Sequence, residues 1–193
     1  MFFQNWKREI RSIPNLLSLS RLFLIPVYLP LYLFGTTPAA QALARNLFAL
    51  SCITDFLDGW IARRYQMVTN LGKFLDPLAD KATQLAVTAC LSFRYPVLFP
   101  VLLMLAFKEF FQAMMGWIYF RQNKVLPGAL LAGKASTAVL FVSLGLLVFL
   151  PRMADIVVKA VVPANLIFLT GSFLEYAFAY RGNPGKLMNL KKE

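Results

Sequence analysis

The stretch Asp55-Phe56-Leu57-Asp58-Gly59-Trp60-Ile61-Ala62-Arg63, followed after eight residues by Gly72-Lys73-Phe74-Leu75-Asp76-Pro77-Leu78-Ala79-Asp80, decides how this chain is read. Four aspartates stand in it, within segments otherwise apolar enough for a membrane. An aspartate at the centre of a spanning helix costs about 2.5–3.5 kcal/mol to insert, so four cost on the order of 10 kcal/mol before mutual repulsion. Something must offset that. Helical spacing groups them: Asp55, Asp58, Gly59, Ala62 and Arg63 recur at steps of three and four and form one stripe. Gly72, Asp76 and Asp80 form a second stripe on the next helix. The short connection predicts that these two helices are antiparallel neighbours whose stripes can face each other. Carboxylates that close repel one another, and a pair of divalent cations would keep all four ionised. Hard oxygen ligands suit Mg²⁺, Mn²⁺ or Ca²⁺. Gly59 and Ala62 remove bulk beside the acids, and Arg63 has the fork geometry that clamps phosphate. Metals, arginine and small residues together form equipment for diphosphate chemistry.

The rest of the chain supplies the setting. Of 193 residues, 59% are hydrophobic and 15% charged, and 18 are Phe. An ordinary soluble domain has roughly 45–50% and 25%. Apolar stretches near 14–35, 39–62, 72–94, 96–120, 128–150 and 156–179 are each long enough to cross about 30 Å of hydrocarbon. Gly35-Thr36-Thr37-Pro38, Tyr95-Pro96, Pro127-Gly128 and Pro151 break them. We therefore expect one all-α polytopic membrane domain over residues 1–193. It would comprise an N-terminal interfacial amphipathic helix (1–13), a bundle of six transmembrane helices (14–180) and a basic cytoplasmic tail (181–193). In the first segment Phe2, Phe3, Trp6, Ile10 and Ile13 fall at helical spacing, interrupted by Lys7, Arg8 and Arg11. It has neither the apolar core nor the cleavage site of a signal peptide.

Charge gives orientation. With the N-terminus inside, one side holds Lys7, Arg8, Arg11, Arg63, Arg64, Lys73, Arg121, Lys124, Arg181, Lys186, Lys191 and Lys192, and the other Arg94 and Arg152. The positive-inside rule places both termini, and the loop between the second and third spans, on the cytoplasmic side of a multi-pass cell-membrane protein whose active site faces the cytoplasm. The net charge of +11 is dispersed between apolar runs. It fits membrane lipids with anionic headgroups rather than nucleic acid. The chain has no His, which excludes His-based hydrolase and zinc chemistry, and its two cysteines, Cys52 and Cys90, read as small buried hydrophobes.

At these residues the chain resembles the CDP-alcohol phosphotransferase family. The two quoted segments fill every fixed position of that family's signature, D-x₂-D-G-x₂-A-R-x₈-G-x₃-D-x₃-D. Pro14-Asn15 through Arg21 is similar as well. The resemblance implies a membrane enzyme that transfers a phosphatidyl group from CDP-diacylglycerol to a small alcohol and releases CMP. Asp55, Asp58, Asp76 and Asp80 would be the metal ligands for two divalent ions, Mg²⁺ or Mn²⁺. Asp80 would also be the catalytic base, an assignment that spacing alone leaves open. Asp58, Gly59, Ala62, Arg63 and Gly72 would bind the CDP-lipid, and the enzyme would be a homodimer.

The pattern most resembles the phosphatidylglycerophosphate synthase subgroup, whose acceptor is glycerol 3-phosphate. That subgroup commonly carries G-K-x-K-T-x-x-Q in the fifth span. Here the stretch is Gly133-Lys134-Ala135-Ser136-Thr137-Ala138-Val139-Leu140, without the second Lys and the Gln. Phosphatidylglycerol as acceptor, the cardiolipin synthase reaction, is therefore the alternative. Lys134 and Arg21 are the candidate acceptor-binding residues, and each can instead snorkel to the interface. Glu109 beside Lys108 reads equally as an acceptor contact or a structural pair, and Glu175 as an interhelical partner. From a different class, an ion-binding transporter would spread its acids through the membrane depth, whereas these cluster with an Arg and two Gly.

Overall fold

The computed structural model describes residues 12–64, 72–122, 130–150 and 154–181, all helix or helix connection. The expected interfacial helix, apart from its last residues, and nearly all of the basic tail lie outside the described residues. So do the side chains of Asp55, Asp58, Gly59, Ala62 and Arg63. Six α-helices are described: α1 (Ile13–Phe34), α2 (Pro38–Arg64), α3 (Gly72–Arg94), α4 (Phe99–Arg121), α5 (Leu131–Phe149) and α6 (Ala154–Arg181). A single 3₁₀ turn, Pro96–Leu98, leads into α4. The boundaries follow those read from hydropathy within a few residues.

Among the described residues, four helices are long and apolar enough to cross a membrane: Asn15–Phe34, Pro96–Tyr119, Leu131–Phe149 and Ile156–Arg181. Their outward faces carry large apolar side chains, among them Phe23, Leu103, Phe110, Ile156 and Ile167. Exposed apolar surface on this scale needs lipid or protein against it, and the chain is a membrane protein. The other two helices, α2 and α3, have 27 and 23 residues, enough length to span. They fall short in hydropathy because they bear the acids and their neighbouring cations.

The helices form two compact units, Met1–Arg94 and Tyr95–Glu193. In the first, the extensive contacts among the described residues are those of α1 with α2 and of α1 with α3. The inward side of α1 carries the polar groups that the acids of α3 bond. Gly35 makes the return to α2 possible. A Cβ there would lie 2.2 Å from the Leu31 carbonyl oxygen and 2.9 Å from Ala40 Cβ. The Thr37 hydroxyl then accepts the Ala40 N–H at 3.2 Å, capping α2 ahead of Pro38.

Prolines sit inside α1 (Pro26, Pro30) and α3 (Pro77). Pro77 is the sixth residue of α3, close to the start of that helix. It forgoes a single bond near an end where partners are already lacking.

In the second unit α6 is the central helix, packing on both α5 and α4. An aromatic seam joins α4 to α6, with Phe111 edge-on to Phe173 (centroids 5.0 Å apart) and Tyr119 edge-on to Tyr180 (5.1 Å). The Tyr119 hydroxyl also donates to the Tyr180 carbonyl at 2.6 Å. Between α5 and α6 the join is polar: Asn165 Nδ2 donates to Ser143 Oγ and to the Val161 carbonyl, both at 2.7 Å. Cys90 is buried, as expected, Cys52 is half-buried instead, and neither forms a disulfide.

Candidate functional site

In the first unit, the site is built on the start of α1 and the start of α3. Along α1, Asn15, Ser18 and Arg21 recur every three residues, and all three are buried. On α3, Asp76 and Asp80 are one turn apart, on one face. Across the join, Ser18 Oγ donates to Asp76 Oδ1 at 2.6 Å, and Arg21 Nη1 donates to Asp80 Oδ1 at 2.5 Å. Arg21 is 2% exposed while the Asp80 side chain is 38% exposed. The cation is thus sealed in the unit and the carboxylate it holds reaches open space. Arg21 does not snorkel.

The face of α3 that continues from these acids is polar but internally satisfied. Thr83, Thr88 and Ser92 are buried, and each hydroxyl donates to the carbonyl one turn back, of Ala79, Gln84 and Thr88 respectively. Gly72 opens the helix and is buried. On α2, Ala44, Phe48 and Ser51 mark the buried face by steps of four and three. The same register, continued along the helix, passes through positions 55 and 58. The backbone at these two positions is helical. Among the described residues no three potential ligands gather into a metal-binding group. Asp76 and Asp80 nonetheless fit a hard divalent cation: two carboxylates on one helix face, oriented by an O–H and an N–H donor, neither of them fully buried.

In the second unit, Lys134 lies in the first turn of α5 with its side chain exposed. Ser136, which stands where the glycerol-3-phosphate subgroup has its second Lys, is buried and turns its hydroxyl back to the Gly133 carbonyl at 2.9 Å. Lys108 Nζ and Glu109 Oε1 form a buried pair at 2.8 Å, the structural arrangement of the two foreseen. Glu175 is an interhelical partner, accepting the Ala132 N–H at 3.0 Å. Sequence reasoning passed over Asn15 and Ser18 as site residues. Their signal was present: three polar residues at three-residue spacing on an otherwise apolar helix make a buried stripe.

An integral membrane protein with paired aspartates on a helix start, braced by an arginine and a serine of another helix, defines a class. The profile of the family described as CDP-alcohol phosphatidyltransferase matches residues 11–171, and the chain belongs to that family. Among its relatives is the probable phosphatidylglycerophosphate synthase of Mycobacterium tuberculosis, 36% identical over 168 residues, covering 85% of this chain and 78% of that one. The CDP-diacylglycerol–glycerol-3-phosphate 3-phosphatidyltransferase of Salmonella typhimurium is 29% identical over 178 residues, 89% of this chain and 96% of that one. The Rickettsia bellii protein of the same name is 49% identical over 70 residues, 36% of this chain. The matched stretch spans only 38% of that Rickettsia protein and 46% of the one from Rickettsia typhi.

Proposed function

We propose that this protein transfers the phosphatidyl group of CDP-diacylglycerol to glycerol 3-phosphate, forming phosphatidylglycerophosphate and releasing CMP. The observation that carries the reading is the pairing of Ser18 with Asp76 and of Arg21 with Asp80, at the signature acids of a family member. The names of the relatives support the acceptor. Asp55, Asp58, Asp76 and Asp80 would hold two divalent cations, Mg²⁺ or Mn²⁺, which when bound offset the charge of the diphosphate oxygens. Asp80 takes the proton of the acceptor hydroxyl as that oxygen bonds to the lipid-side phosphorus. The bond from this phosphorus to the bridging oxygen breaks, and CMP carries the electron pair away. Arg21 holds the Asp80 carboxylate in place and offsets its charge within the helix bundle. Asp58, Gly59, Ala62, Arg63 and Gly72 bind the CDP moiety, with Arg63 on the diphosphate. Lys134 binds the acceptor phosphate.

The whole chain acts as one catalytic membrane domain. All six helices span, preceded by the interfacial helix, with both termini and the active site on the cytoplasmic side of the cell membrane, and two copies associate. The basic fringe on that side draws in an anionic soluble acceptor. Ser136 favours a second reading: with its hydroxyl turned inward, the acceptor site has one cation fewer than the glycerol-3-phosphate subgroup has, which suits phosphatidylglycerol and cardiolipin synthesis. The test is CMP release by the purified protein from CDP-diacylglycerol, with Mg²⁺ or Mn²⁺, across glycerol 3-phosphate, phosphatidylglycerol, serine and inositol phosphate. Turnover with glycerol 3-phosphate supports the first reading. Turnover with phosphatidylglycerol alone replaces the acceptor, and no CMP release with any alcohol overturns both.

A further inference from the structure

The first turn of α5 has no cap of its own. Leu130 occupies the N-cap position in extended conformation and has no side chain able to accept a hydrogen bond. The unpaired N–H groups that open any helix must find partners elsewhere. Here α6 supplies them from two adjacent residues. Tyr176 OH accepts the Leu130 N–H at 3.3 Å, and Glu175 Oε2 accepts the Ala132 N–H at 3.0 Å. A carboxylate is the favoured group at that end of a helix dipole.

The clamp also has a steric part. A Cβ on Gly133 would stand 2.9 Å from Tyr176 Cε2 and 3.0 Å from its hydroxyl oxygen, so the ring lies directly on the glycine. The ring is tethered by its hydrogen bond and cannot simply swing away. Residues 130, 132 and 133 are therefore all set by α6. The next residue is Lys134, whose N–H bonds the Leu130 carbonyl at 3.1 Å. Its own side chain is exposed.

We infer that Glu175 and Tyr176 are positioning residues for Lys134: they fix the first turn of α5, and so the point from which the lysine reaches the acceptor phosphate. The inference rests on the proposed role of Lys134. Both act through the helix start rather than on substrate, and Gly133 is required because the ring needs its place.

Steady-state kinetics of the full-length enzyme, with each substrate varied in turn, provide the test. Glu175→Ala raises the KM for glycerol 3-phosphate about fivefold, the scale of one lost helix cap. The KM for CDP-diacylglycerol stays within about twofold. Glu175→Gln, whose amide oxygen can still accept the Ala132 N–H, recovers most of the loss. Tyr176→Phe, which keeps the ring and loses only the hydroxyl, gives a smaller rise. In a Lys134→Ala background, Glu175→Ala adds little, because both changes act on one contact. The inference is overturned if Lys134→Ala raises the acceptor KM and Glu175→Ala does not. It is equally overturned if the two effects multiply, or if both substrates' KM values move together. If Lys134→Ala itself leaves the acceptor KM unchanged, the role of Lys134 is wrong and the positioning role falls with it.

Discussion

Arg21 of α1 and Asp80 of α3 meet with Nη1 2.5 Å from Oδ1, the guanidinium buried and the carboxylate partly open. Removing one partner of such a pair leaves the other's charge uncompensated. Solvent at Asp80 moderates the loss, so Arg21→Ala costs about 2 kcal/mol in stability rather than the 3–5 kcal/mol of a fully buried pair. CMP release falls at least about tenfold. Arg21→Lys keeps the charge without the planar fork and recovers only part of either quantity. Thermal unfolding in detergent and the CMP assay read the two effects separately. Unchanged stability and turnover in Arg21→Ala would show that the pair holds nothing in place.

Ser18 orients Asp76 by one hydrogen bond of 2.6 Å. Ser18→Ala removes it with almost no change in volume, a loss of about 1.5–3 kcal/mol for a bond to a charged acceptor. Turnover drops by roughly tenfold or more. Because the serine orients a proposed metal ligand, the loss is partly recovered at high Mn²⁺. A loss that Mn²⁺ does not touch would place Ser18 in packing alone.

Each of Asp55→Asn, Asp58→Asn and Asp76→Asn is expected to abolish turnover and weaken divalent-cation binding, since each takes one anionic ligand from the proposed cluster. Asp80→Asn is expected to abolish turnover with a smaller loss of metal and nucleotide binding, because its proposed task is to take the proton. Chelation with EDTA stops CMP release, and added Mg²⁺ or Mn²⁺ restores it. Isothermal titration with Mn²⁺ beside the activity assay separates these outcomes, and near-normal activity in any two of the four variants would sink the mechanism.

Lys134 and Arg63 are expected to divide the substrates. Lys134→Ala raises the acceptor KM by the equivalent of roughly 1.5–3 kcal/mol of charge-assisted bonding and leaves CDP-lipid affinity nearly unchanged. Arg63→Ala does the reverse. Kinetics with both substrates varied would show the crossing pattern, and parallel losses would contradict it.

Between α5 and α6, Asn165 donates to Ser143 and Val161, while its Oδ1 is buried with no hydrogen-bond partner among the described residues. Ser143→Ala breaks the interhelical bond and costs about 1 kcal/mol, as membrane-buried polar pairs do. Asn165→Leu removes the bond and the unsatisfied carbonyl together and stays within about 1 kcal/mol of the parent. Unfolding transitions of the two variants compare them directly, and a large loss in Asn165→Leu alone would mean that the carbonyl has a partner.

Much of this was legible along the chain. Hydropathy runs report burial in lipid one helix at a time, so the six helices and their approximate ends follow from local composition. The signature acids follow from spacing, because residues three and four apart share a helix face whatever the helix packs against. Pairing between helices is a different matter. That α1 packs on both α2 and α3 has no signal within any one of the three helices.

The sequence by itself determined that the chain enters a membrane, that four aspartates gather on two helix stripes, and that their spacing is that of a phosphatidyl-transfer family. Those properties depend on the order of residues within single helices. Only the tertiary structure decided that Ser18 and Arg21 brace Asp76 and Asp80, and that Glu175 and Tyr176 close the start of α5. These partners are separated by 43 to 59 positions in the chain. Which of them meet depends on how whole helices rotate and slide against one another, and that is set by the summed packing of every side chain between them.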